Sequence, residues 1–308
     1  MSKMYEKEEL SKRMKVYENV TKPFLTLGTP KVIRVDMRAG GTFCKKIDKP
    51  FDYIYSQSML ATAKALCKQI PGAKFAYTQS DEISIALNDD FGENSKEFHC
   101  FFDGNLEKIV SISASIATLE FNKAWVSKVF ELEFSKAWTA KEFCDKFDQA
   151  NIFDTSYREA LSREVEKLNV YKSKINTAMF DSRVTVLPTV TELHNYFVWR
   201  QQDATRNSIL ALAYANFTTK ETDNKNCSEL QDMLVLERGI NWNDLEVGYK
   251  RGFIICREAY EKENEYGKAI RHRWVEYPEI PIFTQDTNFI PELFNSSVGL
   301  GKELEEQN

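Results

Sequence analysis

The sequence predicts an α+β fold built on a split βαβ, ferredoxin-like antiparallel sheet, with packed helices, a helical insertion and a C-terminal helical portion. Three observations carry this. Segments of strand and helix character follow one another as strand–helix–strand–strand–helix–strand, the order of the split βαβ unit. A long charged helical stretch, at about 128–174, precedes the last of those strands. Apolar residues make up 43% and charged residues 28% of the 308 positions, the balance of a chain that folds around its own core.

The elements read in order as follows. Ser2–Lys22 is charged, with Leu10, Met14 and Tyr17 at i, i+4 and i+7, and is expected to be an amphipathic helix. Pro30 punctuates, and Lys31–Asp36 is a short strand rich in branched residues, followed by the small-residue loop Met37, Arg38, Ala39, Gly40, Gly41, Thr42. Asp52 is placed to N-cap a helix with Leu60, Ala63, Cys67 and Ile70 on one face, stopped by Pro71-Gly72. Lys74–Thr78 and Ile83–Leu87 flank the polar turn Gln79-Ser80-Asp81-Glu82 as a hairpin. Leu106–Trp125 alternates like a strand over IVSISAS, but its length and the following FNKAW predict a helix. Arg183–Leu187 is the last strand of the unit; Val190–Arg206 and Ser208–Asn216 read as two helices, and the final thirty residues as mostly loop. The expected division is 1–189, the sheet domain with its N-terminal helix and insertion, and 190–308, a mostly helical region packed on it.

Composition excludes several classes of function. Lysine plus arginine total 41 against 46 acidic residues, a net charge of −5 that argues against a uniformly basic nucleic-acid coat and leaves room only for a local basic groove. The longest weakly polar run, Ile109–Leu119, is 11 residues with three serines, well short of the roughly 20 a membrane span needs. The charged N-terminus lacks the apolar core of a secretory signal. Six cysteines are scattered without a CxxC pair and read as reduced thiols, and the three histidines have no zinc-like spacing with them. The expectation is a soluble cytoplasmic protein.

In the split βαβ arrangement the end of the first strand lies beside the turn between the second and third, so Asp36 meets Asp81 and Glu82. Two carboxylates at adjacent strand ends suit a pair of magnesium ions, which take oxygen ligands and complete their shells with water and phosphate. The alternative is a solvated acidic turn beside a strand-end aspartate. The loop Ala39-Gly40-Gly41 lacks bulk, so backbone N–H groups can approach a triphosphate, and Arg38, Lys45, Lys46 and Lys49 add positive charge. His194 and Trp199 sit in HNYFVWRQQDATRN, where periodicity explains Phe197, Trp199 and the neighbouring aromatics as core. The dense polar set Arg200, Gln201, Asp203 and Asn207 is either a buried network or a surface offered to a nucleotide or RNA.

Several strings together resemble the tRNA-histidine guanylyltransferase superfamily. IRVDMRAGGTF is similar to its RIDGR-x-F loop, KPFD to KPxD, YTQSDEISI to YGQSDEYSF, FDSRV to FDGRV, YFVWRQQD to YLSWRQAD and GINWN to GINYN, in order from about Ile33 to Asn243. The resemblance implies a polymerase-palm-like catalytic domain, two Mg2+ ions, ATP and GTP or other nucleoside triphosphates as substrates, a tRNA 5′ end, and homotetramers sharing one tRNA. Carried over by motif, Asp36 and Asp81 would ligate the ions, the Met37 carbonyl would complete one site, and Glu82 would be their acidic partner. Ser80, Lys49, Asp52 and Lys108 fall where the family places nucleotide or triphosphate contacts, as does the loop Arg38–Thr42.

The departures from the pattern select a branch. Thr205, Arg206, Asn207 and Ser208 stand where eukaryotic members carry a HIN segment; Leu230 replaces a lysine, Gly41 a histidine and Met37 a glycine of which only the backbone is needed. Loss of the HIN segment is typical of the guanylyltransferase-like branch, whose members resemble templated polymerases that repair 5′-truncated tRNA. The expected function is therefore template-dependent 3′-to-5′ nucleotide addition. The alternatives are a dedicated tRNA-histidine guanylyltransferase adding G at position −1, a catalytically decayed tRNA-binding protein, and a palm-type nucleotide cyclase.

Overall fold

The computed structural model describes residues 2–91, 98–147, 155–264 and 267–296. After α1 (Ser2–Asn19), strand β1 (Lys31–Met37) leads through the single-turn α2 (Gly40–Phe43) to α3 (Tyr53–Gln69). The hairpin β2 (Ala73–Gln79) and β3 (Glu82–Leu87) follows, then the short pair β4 (Asp90–Phe91) and β5 (Phe98–His99), α4 (Leu106–Phe147), α5 (Thr155–Ser173) and β6 (Phe180–Val186). The remainder comprises α6 (Val190–Asn216), α7 (Thr219–Thr222), α8 (Cys227–Arg238), α9 (Val247–Arg251), the hairpin β7 (Phe253–Asn264) and β8 (Gly267–Tyr277), and α10 (Phe289–Asn295).

The main sheet runs β6-β1-β3-β2-β7-β8, antiparallel throughout. Its first four strands reproduce the split βαβ order expected from the sequence. Period-2 alternation divides the core between the two faces. Ile33, Val35, Met37, Ile83 and Ile85 point to the face covered by α3 and α4, against Leu66, Phe121 and Trp125. Val32, Phe75, Tyr77, Ala86 and Ile254 point to the other, against Leu193 and Phe197 of α6 and Ile290 and Leu293 of α10. Each such large side chain contributes about 1.5–3 kcal/mol by leaving water. Asp52 N-caps α3 as expected, accepting the Tyr55 amide at 2.8 Å, and the predicted inner face of that helix is buried.

Three expectations are corrected. No residue near Lys128 breaks α4, so the insertion begins as a continuation of the core helix; α5 returns along it, with Tyr171 stacked on Trp125 at 5.6 Å and 11°. The two helices expected over 190–216 are one, since nothing between Arg206 and Ser208 interrupts the backbone ladder. Helix α1 forms, but Leu10, Met14 and Tyr17 are about half exposed or more and bury no amphipathic face in the single chain. Of the last thirty residues, 279–296 are loop and turn as expected apart from α10, which inserts four apolar side chains into the core, and 297–308 lie outside the described residues. The C-terminal region is largely helical, with the addition of the β7–β8 hairpin on the β2 edge. Its far half is solvent-exposed on both faces, so charged residues replace the apolar alternation that marks a strand. The five cysteines whose side chains are described are free thiols, and Cys144 lies outside that set. Among the described residues no helix is long and apolar enough to cross a membrane.

Candidate active site

The register of the sheet assembles the carboxylates. Asp36 pairs across to Glu82 on one side and to Asp181 on the other. The two-residue turn that joins β2 to β3 places Ser80 in the left-handed region (φ 51°) and brings Asp81 back over β1, where the Met37 amide donates to the Asp81 carbonyl at 2.9 Å. Burial pushes the Asp36 carboxyl up from its ordinary value, and the neighbouring charges of Asp81 and then Asp181 push it further; Arg183 and Arg34 oppose. Gly40, at the start of α2, is packed against the Asp81 side chain: a Cβ there would fall 2.8 Å from Asp81 Cβ and Cγ. The small residue is therefore needed for Asp81 to lie where it does.

Next to Asp81 opens a cavity of about 290 Å³. One wall is α2 with the segment Lys49-Pro50-Phe51, whose Lys49–Pro50 peptide is cis. A second wall is the N-terminal half of α3, including Tyr55, Ser56 and Met59. The third is formed by Asn207, Ser208 and Ala211 of α6 with Gly248 and Tyr249 of α9. Phe51 and Tyr249 stack at 4.9 Å and 19°, bridging two of these walls. Gly252 (φ 84°) lets the chain turn from α9 into β7 against the Tyr77 ring, and the Tyr77 hydroxyl donates to the Arg251 carbonyl at 2.6 Å. Asp52 is also at the cavity, where it organises the wall: it accepts from the Asp48 amide at 3.0 Å and from the Tyr171 hydroxyl in addition to capping α3.

Of the residues singled out from sequence, Gly40, Gly41, Lys49, Asp52, Ser80, Asp81 and Asn207 line this cavity, and Asp36 stands beside Asp81 outside the lining. Met37 is buried under the sheet end; Arg38, Ala39 and Thr42 are exposed on the loop and outside the lining. Ala39 takes the left-handed conformation (φ 56°) that starts α2, and the Arg38 amide is held by the Met179 carbonyl at 2.8 Å. Lys108 is elsewhere. It lies in the first turn of α4, beside Glu18 of α1 and 5.9 Å over the Phe102 ring, because α4 starts at the opposite end of the sheet from Asp36.

The polar set on α6 divides. Arg200 is buried, donates to Glu82 at 3.0 Å and stacks 3.5 Å over the Trp199 ring; Arg34 lies 3.7 Å from the same carboxylate. Burial pushes the Glu82 carboxyl up, with Arg200 and Arg34 pulling against it. Glu82, the acidic partner in the SDE turn, thus ties α6 to the sheet. Gln201 is buried too, bonded to the Pro281 carbonyl and the Phe283 amide, and Asp203 lies 3.7 Å from Arg200. Trp199, expected in the core, is 52% exposed, whereas Phe197 is buried as expected; His194 is buried too. Sequence reasoning missed the aromatic wall of Phe51 and Tyr249 and the placement of GINWN: the Trp242 indole donates to Ser208 at 3.0 Å, fixing the α6 turn that carries Asn207. No spacing signal links these segments.

The donor set suits magnesium. Asp36 and Asp81 offer two hard oxygen donors whose mutual repulsion a divalent cation would relieve. Among the described residues no group of three or more His, Cys, Asp or Glu side chains is arranged to hold a metal by itself, so any ion here would share its shell with phosphate and water.

Sheet topology and site together define a palm-like α+β protein with paired carboxylates at the mouth of a cavity of nucleotide size. Residues 11–188 match the family described as Thg1, tRNAHis guanylyltransferase, and the chain belongs to that family of nucleotidyltransferases. A solved bacterial tRNA(His) guanylyltransferase-like protein in complex with ATP is 33% identical, with a TM-score of 0.67 over 93% of this chain and 99% of its own. A GTP complex described in the same terms gives 32% and 0.66 over 94% and 100%. The tRNA(His) guanylyltransferase of Debaryomyces hansenii is 27% identical over 79% of each chain.

Proposed function

We propose that this enzyme adds nucleotides to the 5′ end of truncated tRNA in the 3′-to-5′ direction, directed by the opposite strand. Asp81 in the wall of a nucleotide-sized cavity, with Asp36 beside it, is the observation that carries this reading. The ATP- and GTP-bound bacterial relatives support nucleoside triphosphates as the occupants. A 5′-monophosphate end first attacks the α-phosphorus of ATP, releasing pyrophosphate and leaving an adenylated end. The 3′-hydroxyl of the incoming triphosphate then attacks the 5′ phosphorus of the RNA, a phosphodiester forms, and AMP leaves; an existing 5′-triphosphate loses pyrophosphate instead.

Asp36 and Asp81 would hold two magnesium ions, which lower the charge barrier at the reacting phosphorus when bound. The chain itself supplies position. Gly40 and Gly41 let phosphates approach backbone, Lys49 and Ser80 border the same space, and the Phe51–Tyr249 pair gives the base a flat apolar wall. The absence of histidine from Thr205–Ser208, on the helix whose Asn207 and Ser208 line the cavity, favours pairing-directed addition over fixed G addition.

The test is incubation with a tRNA lacking its first 5′ nucleotide, magnesium, ATP and all four nucleoside triphosphates, with each templating base in turn. Restoration of the complementary nucleotide is expected, and Asp36→Ala or Asp81→Ala should abolish it without loss of RNA binding. No addition by intact protein refutes the proposal. Addition of G regardless of the opposing base makes the enzyme a dedicated guanylyltransferase.

A further inference from the structure

A second cavity, of about 620 Å³, lies on the opposite half of α3 from the first. Lys64 and Lys68 of α3, Lys74 of β2, Arg257 of β7, and His272, Arg273 and Trp274 of β8 all line it. In a chain of net charge −5 this concentrates six basic side chains around one half-buried indole. Arg273 is paired with Glu258 at 2.7 Å, and Glu276 lies near Lys64. Lys64, Lys68 and Arg257 have no ion-pair partner within 4 Å among the described residues. With one carboxylate paired to Arg273 and one near Lys64, the charge of Lys68 and Arg257 is the excess in this concave cluster, and such an excess attracts an anionic occupant. An aromatic face among the cations fits a nucleic-acid strand better than an acidic peptide.

The position is informative. The catalytic cavity uses Ser56 of α3, Thr78 and Gln79 of β2 and Phe253 of β7; the basic cavity uses Lys64 and Lys68, Ala73 and Lys74, and Arg257 of the same three elements. At 1.5 Å per helical residue, Lys64 and Lys68 lie about 12–18 Å along α3 from Ser56, a span of roughly three to five phosphates along one strand.

We propose that this groove binds the phosphodiester backbone of the substrate RNA a few nucleotides inward from the end that reacts, and so sets the position of that end at Asp36 and Asp81. The inference rests on the reading of RNA as substrate. It assigns Lys64, Lys68 and Arg257 as positioning residues through phosphate contacts, with Trp274 and His272 as the surface for sugar or base.

The test measures binding alone, in the Asp81→Ala background, so that it does not depend on nucleotide addition. Fluorescence anisotropy of a labelled 5′-truncated tRNA is followed from about 0.05 to 0.25 M salt for the parent and for Lys64→Gln/Lys68→Gln/Arg257→Gln. Loss of three phosphate contacts is expected to lower the slope of log K against log salt by about two to three and to raise Kd about tenfold to a hundredfold at 0.15 M salt. Calorimetric ATP binding should stay unchanged, and circular dichroism should show the folded protein. Lys68→Glu alone, on an exposed helical position, should weaken RNA binding in the same direction. A Kd within about twofold of the parent with an unchanged slope overturns the proposal while leaving the reading of the catalytic site intact. Loss of ATP or inorganic phosphate binding in the triple variant would make the occupant a free phosphate compound, and loss of polyglutamate binding with RNA binding intact would make it an acidic protein; either overturns it. Failure of the addition assay with the expected salt behaviour preserved would sink the proposed reaction and keep the groove.

Discussion

Gly40→Ala isolates the carboxylate cradle. An alanine Cβ at this position would sit 2.8 Å from both Asp81 Cβ and Cγ and closer still to Oδ2, separations that real Cβ atoms do not adopt. The Asp81 carboxylate must retreat by about 1 Å, and a displacement of that size at a reacting centre costs about a hundredfold in rate, or about 2.7 kcal/mol of transition-state stabilisation. Stability should move little, because alanine is favoured over glycine by up to about 1 kcal/mol in helical backbone and Asp81 is only half-buried on a turn. The assay is single-turnover extension of a 5′-truncated tRNA, read beside thermal melting of the same protein. Gly41→Ala is the companion: its Cβ meets nothing within 4 Å beyond its chain neighbours and its own helix backbone, so Asp81 stays in place and any effect falls on KM for the triphosphate. A Gly40→Ala enzyme whose rate lies within about threefold of wild type would refute the claim that this glycine positions Asp81.

Two further outcomes follow from the buried polar groups. Arg200→Ala should destabilise the fold by about 3–5 kcal/mol in urea unfolding, since it leaves the buried Glu82 carboxylate with the Ser84 hydroxyl at 3.3 Å and a single, more distant cation, Arg34 at 3.7 Å; Glu82→Gln should cost less. His194 has a buried Nδ1 without a hydrogen-bond partner, and burial lowers its pKa. The unfolded chain therefore binds the proton more readily, so the contribution of His194 is present above its unfolded pKa and is lost as pH falls through about 6.5 toward the lower folded value. Urea unfolding of His194→Gln between about pH 7 and pH 5 should show a shallower loss than wild type; equal slopes would show that His194 does not set it.

The elements legible in the sequence were those with strong local signals. The branched run of β1, the hairpin around Ser80-Asp81, the Asp52 cap and the inner face of α3 all appear where residue pattern placed them. The β7–β8 hairpin escaped notice because its outer half touches no core, and a strand wet on both faces has no period-2 pattern to read. Trp199 and Arg200 show a different limit. Periodicity treats adjacent helical residues by angle alone, whereas the structure buries the arginine on Glu82 and leaves the indole outside as its stacking partner. Lys108 shows a third: a motif fixes position along the chain, and the direction of α4 carries that lysine to the far end of the sheet.

By itself the sequence determined that Asp36 and Asp81 converge, since two strands of a split βαβ unit and a short turn leave them little other choice, and the order of its motifs pointed to the family. The tertiary structure alone decided which polar residues face the cavity and which are spent on packing. Glu82, Arg200 and Gln201 are charged or polar like the groups that line the site, and only the register of β3 against α6 and the 280s loop gives each of them a buried partner. Likewise the basic groove gathers lysines and arginines from α3, β2, β7 and β8. Side chains that far apart in sequence become one electrostatic site only when the sheet edge brings them together, because charge interactions depend on distance in space and not along the chain.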